Sequence, residues 1–208
     1  GLRCQVSSPL LVPASLQDPQ KRAKLDAFIA RVRHHPALYD YFLTDEPGTR
    51  RFAGLGKLVA YLREKDPAHL AYINLLPTYA TNKQLGTKGD TVSAYQEYMN
   101  QFLKTVKPQM LSYDHYQFAS KNDSPDYFLN LAIARRTALK AGIPFLNIVQ
   151  ASTWAPNMRA PNEGEMLIAG QSTDRLQRQD EGGGSARQKA QRPEAAVRIP
   201  KYPRPWSE

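Results

Sequence analysis

Four short apolar runs alternate with helical patterns along this chain, and this alternation constrains the fold more than any other feature of the sequence. Each run has the length of a buried strand. The segments between the runs repeat apolar residues at the three- and four-residue spacing of an amphipathic helix. Strands that alternate with helices of about 15 residues pair in parallel through right-handed crossovers. The sequence therefore predicts an α/β fold and excludes an all-α or all-β fold, with strands over residues 38–43, 70–76, 110–113 and 145–149.

Prolines and one glycine mark where predicted helices end. A helix over residues 20–33 ends at His34-His35-Pro36, and the helix after the first strand ends at Asp66-Pro67. The residue before a proline avoids helical backbone angles, which makes both positions natural stops. Gly142 follows a helix predicted over residues 127–141 and can end it in the left-handed conformation.

The alternation of strands and helices alone does not distinguish an open, doubly wound sheet from a barrel. Polar residues follow every predicted strand, as in β/α barrels, whereas no glycine-rich dinucleotide loop or phosphate loop follows any of them. We therefore expect a partial β/α barrel of about four parallel βα units. The 208 residues of the chain are fewer than those of a complete barrel, which typically has about 250.

The composition divides the chain into three parts. Residues 1–19 contain three prolines and no sustained period, which predicts an irregular entry segment. Residues 20–169 hold the apolar runs and form the expected barrel-type catalytic domain. Residues 170–208 are rich in Gln, Arg and Gly and poor in large aliphatic residues, which predicts a disordered, low-complexity basic tail. A shifted reading frame or cloning junction is an alternative origin for this tail.

The net charge of +9 is dispersed rather than concentrated. The tail from residue 171 contributes eight Lys or Arg against five Asp or Glu, and no run of Lys and Arg is longer than two residues. A dense phosphate-binding stripe is therefore absent from the sequence, and nucleic acid is not the expected partner. Weak association of nucleic acid with the basic tail is the alternative that the charge leaves open.

Other function classes find little support in the sequence. Cys4 is the single cysteine, so no internal disulfide can form, and four scattered histidines without a cysteine cluster predict no metal site and no cofactor. A serine-nucleophile elbow is also missing. No apolar run approaches the roughly 18 residues that cross a bilayer, so no membrane partner is expected. The compartment stays open, with secretion or the periplasm favoured if a signal peptide has been removed.

The residues that follow the predicted strands are carboxylates, amides and aromatics. The carboxyl ends of parallel barrel strands meet on one face, where the reactive side chains of such enzymes stand. These residue types hydrogen-bond hydroxyl groups and stack on sugar rings, which points to a carbohydrate substrate. The candidates are Asp45 and Glu46 after the first strand, Asn74 and Tyr79 at the second, Asp114, His115 and Tyr116 at the third, and Gln150 and Trp154 at the fourth.

Four segments of this region resemble bacterial glycoside hydrolase-like proteins built on (β/α)8 barrels, which carry an Asp-Glu-Pro turn after the fourth strand. The resemblance covers roughly residues 20–166 and implies that the strand from Leu38 is the fourth of the barrel and the strand from Phe145 the seventh. It thus implies a truncated barrel without strands one to three and eight. The matching segments are residues 35–39, 41–47, 72–77 and 111–116.

The same resemblance implies that Glu46 is the general acid/base, a role that needs a carboxyl with a raised pKa. A second carboxylate is expected near the end of the seventh strand, but Gln150 occupies that position. Asp114 is the first substitute, and Glu163 and Glu165 are weaker ones. The resemblance therefore implies a glycoside hydrolase, with a non-catalytic carbohydrate-binding or pseudoenzyme fragment as the alternative.

Several of these residues also have simpler structural interpretations. Asp45 could cap a helix that begins at Pro47, and Glu46 could be a first-turn carboxylate facing the dipole of that helix. Asp114 and His115 could hydrogen-bond loop backbone, and Tyr116 and Trp154 could be packing residues. A partial barrel also leaves open sheet edges, through which the chain could form a homodimer.

Overall fold

Five parallel strands form one sheet in the order β1-β2-β3-β4-β5. The computed structural model describes residues 2–153 and 155–169. A doubly wound sheet reverses its strand order at a switch point, and no reversal occurs among the described strands. The α/β fold and the partial barrel predicted from the sequence are therefore confirmed. The strands are β1 (Cys4–Val6), β2 (Leu38–Asp45), β3 (Leu70–Leu75), β4 (Leu111–Asp114) and β5 (Phe145–Ile148).

Helices connect consecutive strands, and an aspartate side chain caps the start of two of the longer ones. The carboxylate of Asp18 accepts hydrogen bonds from the backbone of Gln20 and Lys21, and Asp90 caps its helix in the same way. Gly142, with φ of 66°, ends its helix as predicted. The helices are α1 (Pro19–Val32), α2 (Phe52–Lys65), α3 (Asn82–Leu85), α4 (Thr91–Val106) and α5 (Tyr127–Ala141), with 3-10 turns at Pro13–Leu16 and Thr49–Arg51 and a helical segment over 163–169.

The two faces of the sheet differ in polarity because side chains alternate along each strand. Tyr41, Ile73 and Leu111 belong to the buried core that the sheet forms with the helices. Within that core, the ring of Phe52 on α2 lies 5.3 Å from that of Tyr98 and 5.4 Å from that of Phe102 on α4. Fully burying each such side chain contributes about 1.5–3 kcal/mol. The opposite, inner face is polar and carries Asp40, Tyr72, Asn74, Ser112 and Asp114.

Residues 1–19, expected to form an irregular entry segment, contain β1 and a 3-10 turn. Cys4–Val6 pairs in parallel with β2, and the Cys4 amide donates to the Ala37 carbonyl over 2.8 Å. Three residues are too few to show a period in the sequence, which is why this strand was not predicted. The connection between β3 and α4 contains α3, which Thr81 and Gln84 start with a reciprocal capping box.

Two further expectations concern residues that the structure does not describe. Trp154 and the tail over 170–208 lie outside the described residues, so tail disorder, a shifted reading frame and nucleic-acid association stay predictions.

Within the described part, β1 and β5 each pair on one side only, and homodimer formation through these edges likewise stays a prediction. No described helix combines the length and the apolar character that crossing a membrane would need.

Candidate active site

The turn after β2 holds Glu46 in an unusual backbone conformation. β2 extends through Asp45, which lies beside Asn74 of β3, and the Glu46 amide donates to the Asn74 carbonyl over 2.9 Å. Glu46 then adopts φ of 45°, in the left-handed region that residues with a side chain rarely occupy. Because Glu46 also precedes Pro47, where extended backbone is normal, the turn is unfavourable on two counts. Such strain is concentrated at functional sites.

The helix-cap interpretations of Asp45 and Glu46 are wrong. The 3-10 turn that leads into α2 starts at Thr49 rather than Pro47, and its N-cap residue is Gly48 without a side-chain cap. Neither this turn nor α2 has an acidic residue in its first turn. The two carboxylates therefore do not stabilise the helix start, and both side chains are exposed at the end of the strand.

A ladder of hydrogen bonds crosses the inner face of the sheet and ends at Asp45. The hydroxyls of Tyr72 and Ser112 lie 2.7 Å apart, and Ser112 donates to Asn74 Oδ1 over 3.2 Å. Asn74 in turn donates from Nδ2 to Asp45 Oδ1 over 3.0 Å. Asn74 is only 3% exposed, so its amide orients the Asp45 carboxylate from behind.

Asp114 ends β4 on the same face, with its side chain buried. Burial raises the pKa of this carboxyl, against the opposing effect of hydrogen bonds from Tyr116 and Asn74, and the negative charge of Asp45 adds to the increase. Its Oδ1 atom has no hydrogen-bond partner among the described residues. A buried polar atom of this kind is uncommon in folded proteins.

The carboxyl group of Glu46 faces the charges of both aspartates. Partial burial raises its pKa to about 7, and the negative charges of Asp114 and then Asp45 add to the effect. The side chain is nevertheless open to solvent, so a bound molecule can reach it. A carboxyl that titrates near neutral pH can both donate and accept a proton during a reaction.

Tyr79 lies at the same strand ends as Asp114 and Glu46. Burial raises the pKa of its phenol to about 12, opposed by a hydrogen bond with the Tyr116 backbone and assisted by the charges of Asp114 and Glu46. The side chain is 48% exposed and packs edge-on against His115, with ring centroids 4.9 Å apart. Tyr79 therefore offers an accessible aromatic surface next to the carboxylates. We call the Asp45, Glu46, Tyr79 and Asp114 side chains the mouth.

His115 supports the mouth from behind. The side chain is fully buried, its Nδ1 lies 3.0 Å from Asn130 Oδ1, and its Nε2 lies 3.0 Å from Ser124 Oγ. Burial lowers the pKa of the imidazole, and the hydrogen bond with Asn130 opposes this effect. The lowered pKa favours the neutral form of His115 at pH 7. A direct contact between His115 and a substrate would require these hydrogen bonds to break.

Gln150 joins the loops that follow β4 and β5. Its side chain accepts from the Phe118 amide over 2.9 Å and donates to the carbonyls of Phe118 and Arg159 over 3.1 and 3.0 Å. Of the weaker carboxylate candidates, Glu163 is exposed and Glu165 pairs with Arg159 over 2.8 Å. The hydrogen bonds from Arg159 lower the pKa of Glu165 to about 2, which makes it a poor proton donor.

Four residues around the mouth were not predicted from the sequence. Tyr72 and Ser112 lie two positions before Asn74 and Asp114 on their strands, so the alternation of inward side chains could have identified them. Tyr98 and Asn130 lie on helices at positions that look like ordinary core, and their sequence context gives no signal.

The described residues contain no group of three His, Cys, Asp or Glu side chains arranged to hold a metal ion. A depression of about 350 Å³ lies away from the mouth, between the first 3-10 turn and α2, lined by Pro13, Leu16, Gln17, Ala53, Gly54 and Lys57. Its lining contains no carboxylate.

No protein-family model and no curated protein sequence matches this chain. Among solved structures, it is similar to a proposed alpha-L-fucosidase from Bacteroides thetaiotaomicron, with a TM-score of 0.48 and 10% sequence identity. The match covers 78% of this chain and 53% of that protein. The chain thus spans about half the length of the protein that it matches.

Proposed function

We propose that this chain carries the acid/base half of a glycoside hydrolase site, with Glu46 as the general acid/base and a carbohydrate as the substrate. The observation that carries the proposal is the mouth itself. An accessible carboxyl whose pKa is raised to about 7 stands at a parallel strand end, under the influence of a second, buried carboxyl, Asp114. Two carboxyls in different environments are the arrangement that glycoside hydrolysis uses.

In the proposed reaction, protonated Glu46 donates its proton to the glycosidic oxygen as the bond from that oxygen to the anomeric carbon breaks. The carboxylate of Asp114, whose charge acts on Glu46, could stabilise the positive charge that develops on the sugar. Asp45, oriented by Asn74, keeps a negative charge near Glu46 and so favours its protonated form. Tyr79 would provide an aromatic surface for the sugar ring.

Asp114 could act either by direct attack or by activating a water. Carboxyls about 5 Å apart suit attack and retention of configuration, and a separation of about 6.5–9.5 Å leaves room for the water of an inverting enzyme. Proton NMR of the first-formed product would distinguish the two, because it reports the anomer before mutarotation.

The test compares the parent with Glu46→Gln on α- and β-linked aryl glycosides of several sugars. Loss of a general acid should lower kcat about 10²–10⁴-fold. The loss should be smaller for a dinitrophenyl leaving group, which needs little protonation. Glu64→Gln is the control, since this exposed glutamate lies on α2 away from the mouth. Equal activity in the parent and Glu46→Gln would exclude Glu46 as the acid.

A second candidate function is carbohydrate binding without turnover. It is favoured by Gln150, an amide bonded to loop backbone at the position where the resemblance implies a nucleophilic carboxylate. Under this alternative, glycans bind the parent and Glu46→Gln equally, Tyr79→Ala weakens binding, and no glycoside is cleaved. Glu46-dependent cleavage of any substrate would exclude it.

A further inference from the structure

A chain of buried hydrogen bonds runs behind the mouth, from the turn after β2 to the loop after β3. The Tyr98 hydroxyl donates to the Pro47 carbonyl over 2.8 Å and accepts from the Leu76 amide over 3.3 Å. The Tyr95 hydroxyl donates to the carbonyl of the same Leu76 over 2.9 Å. Both tyrosines lie on α4 and are fully buried. One helix therefore holds two strand-end loops through side-chain hydroxyls.

Asn130 on α5 continues this chain to the loop after β4. Its Nδ2 donates to the Tyr95 hydroxyl over 2.9 Å, and its Oδ1 accepts from the Thr78 amide over 2.8 Å and lies 3.0 Å from His115 Nδ1. Asn130 and His115 are fully buried. One network of buried hydrogen bonds thus links the loops after β2, β3 and β4.

Each loop is held one residue away from a member of the mouth. Pro47 follows Glu46, Thr78 precedes Tyr79, and His115 follows Asp114. Apolar side chains would fill the same space between helices and sheet without the risk of unsatisfied buried groups. A polar network that is fully bonded instead fixes one relative arrangement of the segments it joins.

We propose that Tyr98 and Asn130 are positioning residues that set the mutual placement of Glu46, Tyr79 and Asp114. The kinetic consequences of this inference rest on the proposed function. Its structural consequence, the placement of the Glu46 turn, does not. The hydroxyl of Tyr98 holds the carbonyl next to a residue with left-handed backbone. Without this bond, the turn can relax toward ordinary backbone angles and carry the Glu46 carboxyl away from Asp114 and into solvent.

The experiment is a carbon-13 NMR titration of the Glu46 carboxyl in the parent, Tyr98→Phe and Tyr113→Phe. Tyr113 is a matched control because its ring is as deeply buried, while its hydroxyl has no hydrogen-bond partner among the described residues. In Tyr98→Phe, the pKa of Glu46 should fall from about 7 toward its ordinary value of 4.5. It should stay unchanged in Tyr113→Phe. An identical Glu46 titration in the two variants would overturn the proposal.

Kinetics provide the second measurement. If the parent cleaves a glycoside, Tyr98→Phe should lower kcat about tenfold or more, with little change in KM, and should shift the alkaline limb of the pH profile downward. If the parent cleaves none of the panel, the proposed function fails, and the titration still decides the positioning role. Should Tyr98→Phe not fold, Tyr95→Phe is the substitute. It removes the bonds of the Tyr95 hydroxyl with the Leu76 carbonyl and Asn130 Nδ2, which frees Asn130 to shift the loop that carries Asp114, and should therefore also lower the pKa of Glu46. No movement there would overturn the proposal equally.

Discussion

The charge of Asp45 can be removed without disturbing its geometry, which makes it a sharp test of the electrostatics of the mouth. In Asp45→Asn, the new amide oxygen can still accept from Asn74 Nδ2, so only the negative charge is lost. Burial, Asp114 and Asp45, in decreasing order, raise the pKa of Glu46 from 4.5 to about 7. As the smallest of the three contributions, Asp45 accounts for less than a third of that interval. Asp114→Asn should lower the pKa of Glu46 by more than Asp45→Asn does, but by less than half of the interval.

Carbon-13 NMR of the glutamate carboxyls measures both changes, with Glu46→Gln to assign the signal. Salt separates the causes further. The Debye length falls from about 10 Å at 0.1 M to about 3 Å at 1 M, so salt should reduce the effect of exposed Asp45 and leave the effect of burial. A Glu46 pKa near 4.5 in the parent would contradict this prediction. A larger change in the Glu46 pKa in Asp45→Asn than in Asp114→Asn would contradict it as well.

Two further predictions concern stability. Glu46→Gly should stabilise the fold by up to about 1 kcal/mol in urea denaturation, because glycine adopts left-handed backbone without strain. Glu46→Gln keeps the strained backbone and should therefore not stabilise the fold. Asp66→Asn should cost about 2 kcal/mol at pH 7, since the buried Asp66 carboxylate accepts from the Tyr41 hydroxyl over 2.6 Å and pairs with His69 over 2.8 Å. Burial raises the pKa of Asp66, but the hydrogen bonds outweigh burial and lower this pKa below 3.8. The contribution of Asp66 to stability is therefore present above pH 3.8 and is lost as the pH falls through the folded-state pKa. Denaturation midpoints of parent and variant that stay equally far apart from pH 7 to pH 2 would contradict this prediction.

The fold was largely predictable because the periodic spacing of apolar residues identifies most of its strands and helices, and prolines mark where helices end. The helix over residues 127–141 and its stop at Gly142 were predicted to the residue. β1 could not be found in this way, since its identity depends on pairing with β2 rather than on its own three residues. Parallel strand ends converge by topology, so the grouping of Asp45, Asn74 and Asp114 followed once the strands were placed.

The backbone conformation and the environment of the site were not predictable. Nothing in Asp45-Glu46-Pro47 signals φ of 45° at the glutamate, because that angle depends on bonds with Asn74 and Tyr98 that are distant in sequence. The burial of His115 and Gln150 is likewise a product of tertiary packing. Their location after the strands was predictable from the sequence, whereas the direction of each side chain depends on neighbours on other elements.

The polar inner face of the sheet also makes its surface charge sensitive to acidity. Burial raises the pKa of Asp40 to about 6, in spite of its hydrogen bond with Gln5, and that of Glu46 to about 7. Between mildly acidic and neutral solution, Asp40 and Glu46 therefore begin to ionise, and this wall becomes more negative. Anions that could lie against it at low pH would be repelled once both groups ionise. A neutral sugar would meet no such barrier, and its binding would vary with acidity through the hydrogen bonds that the exposed Glu46 carboxyl can offer.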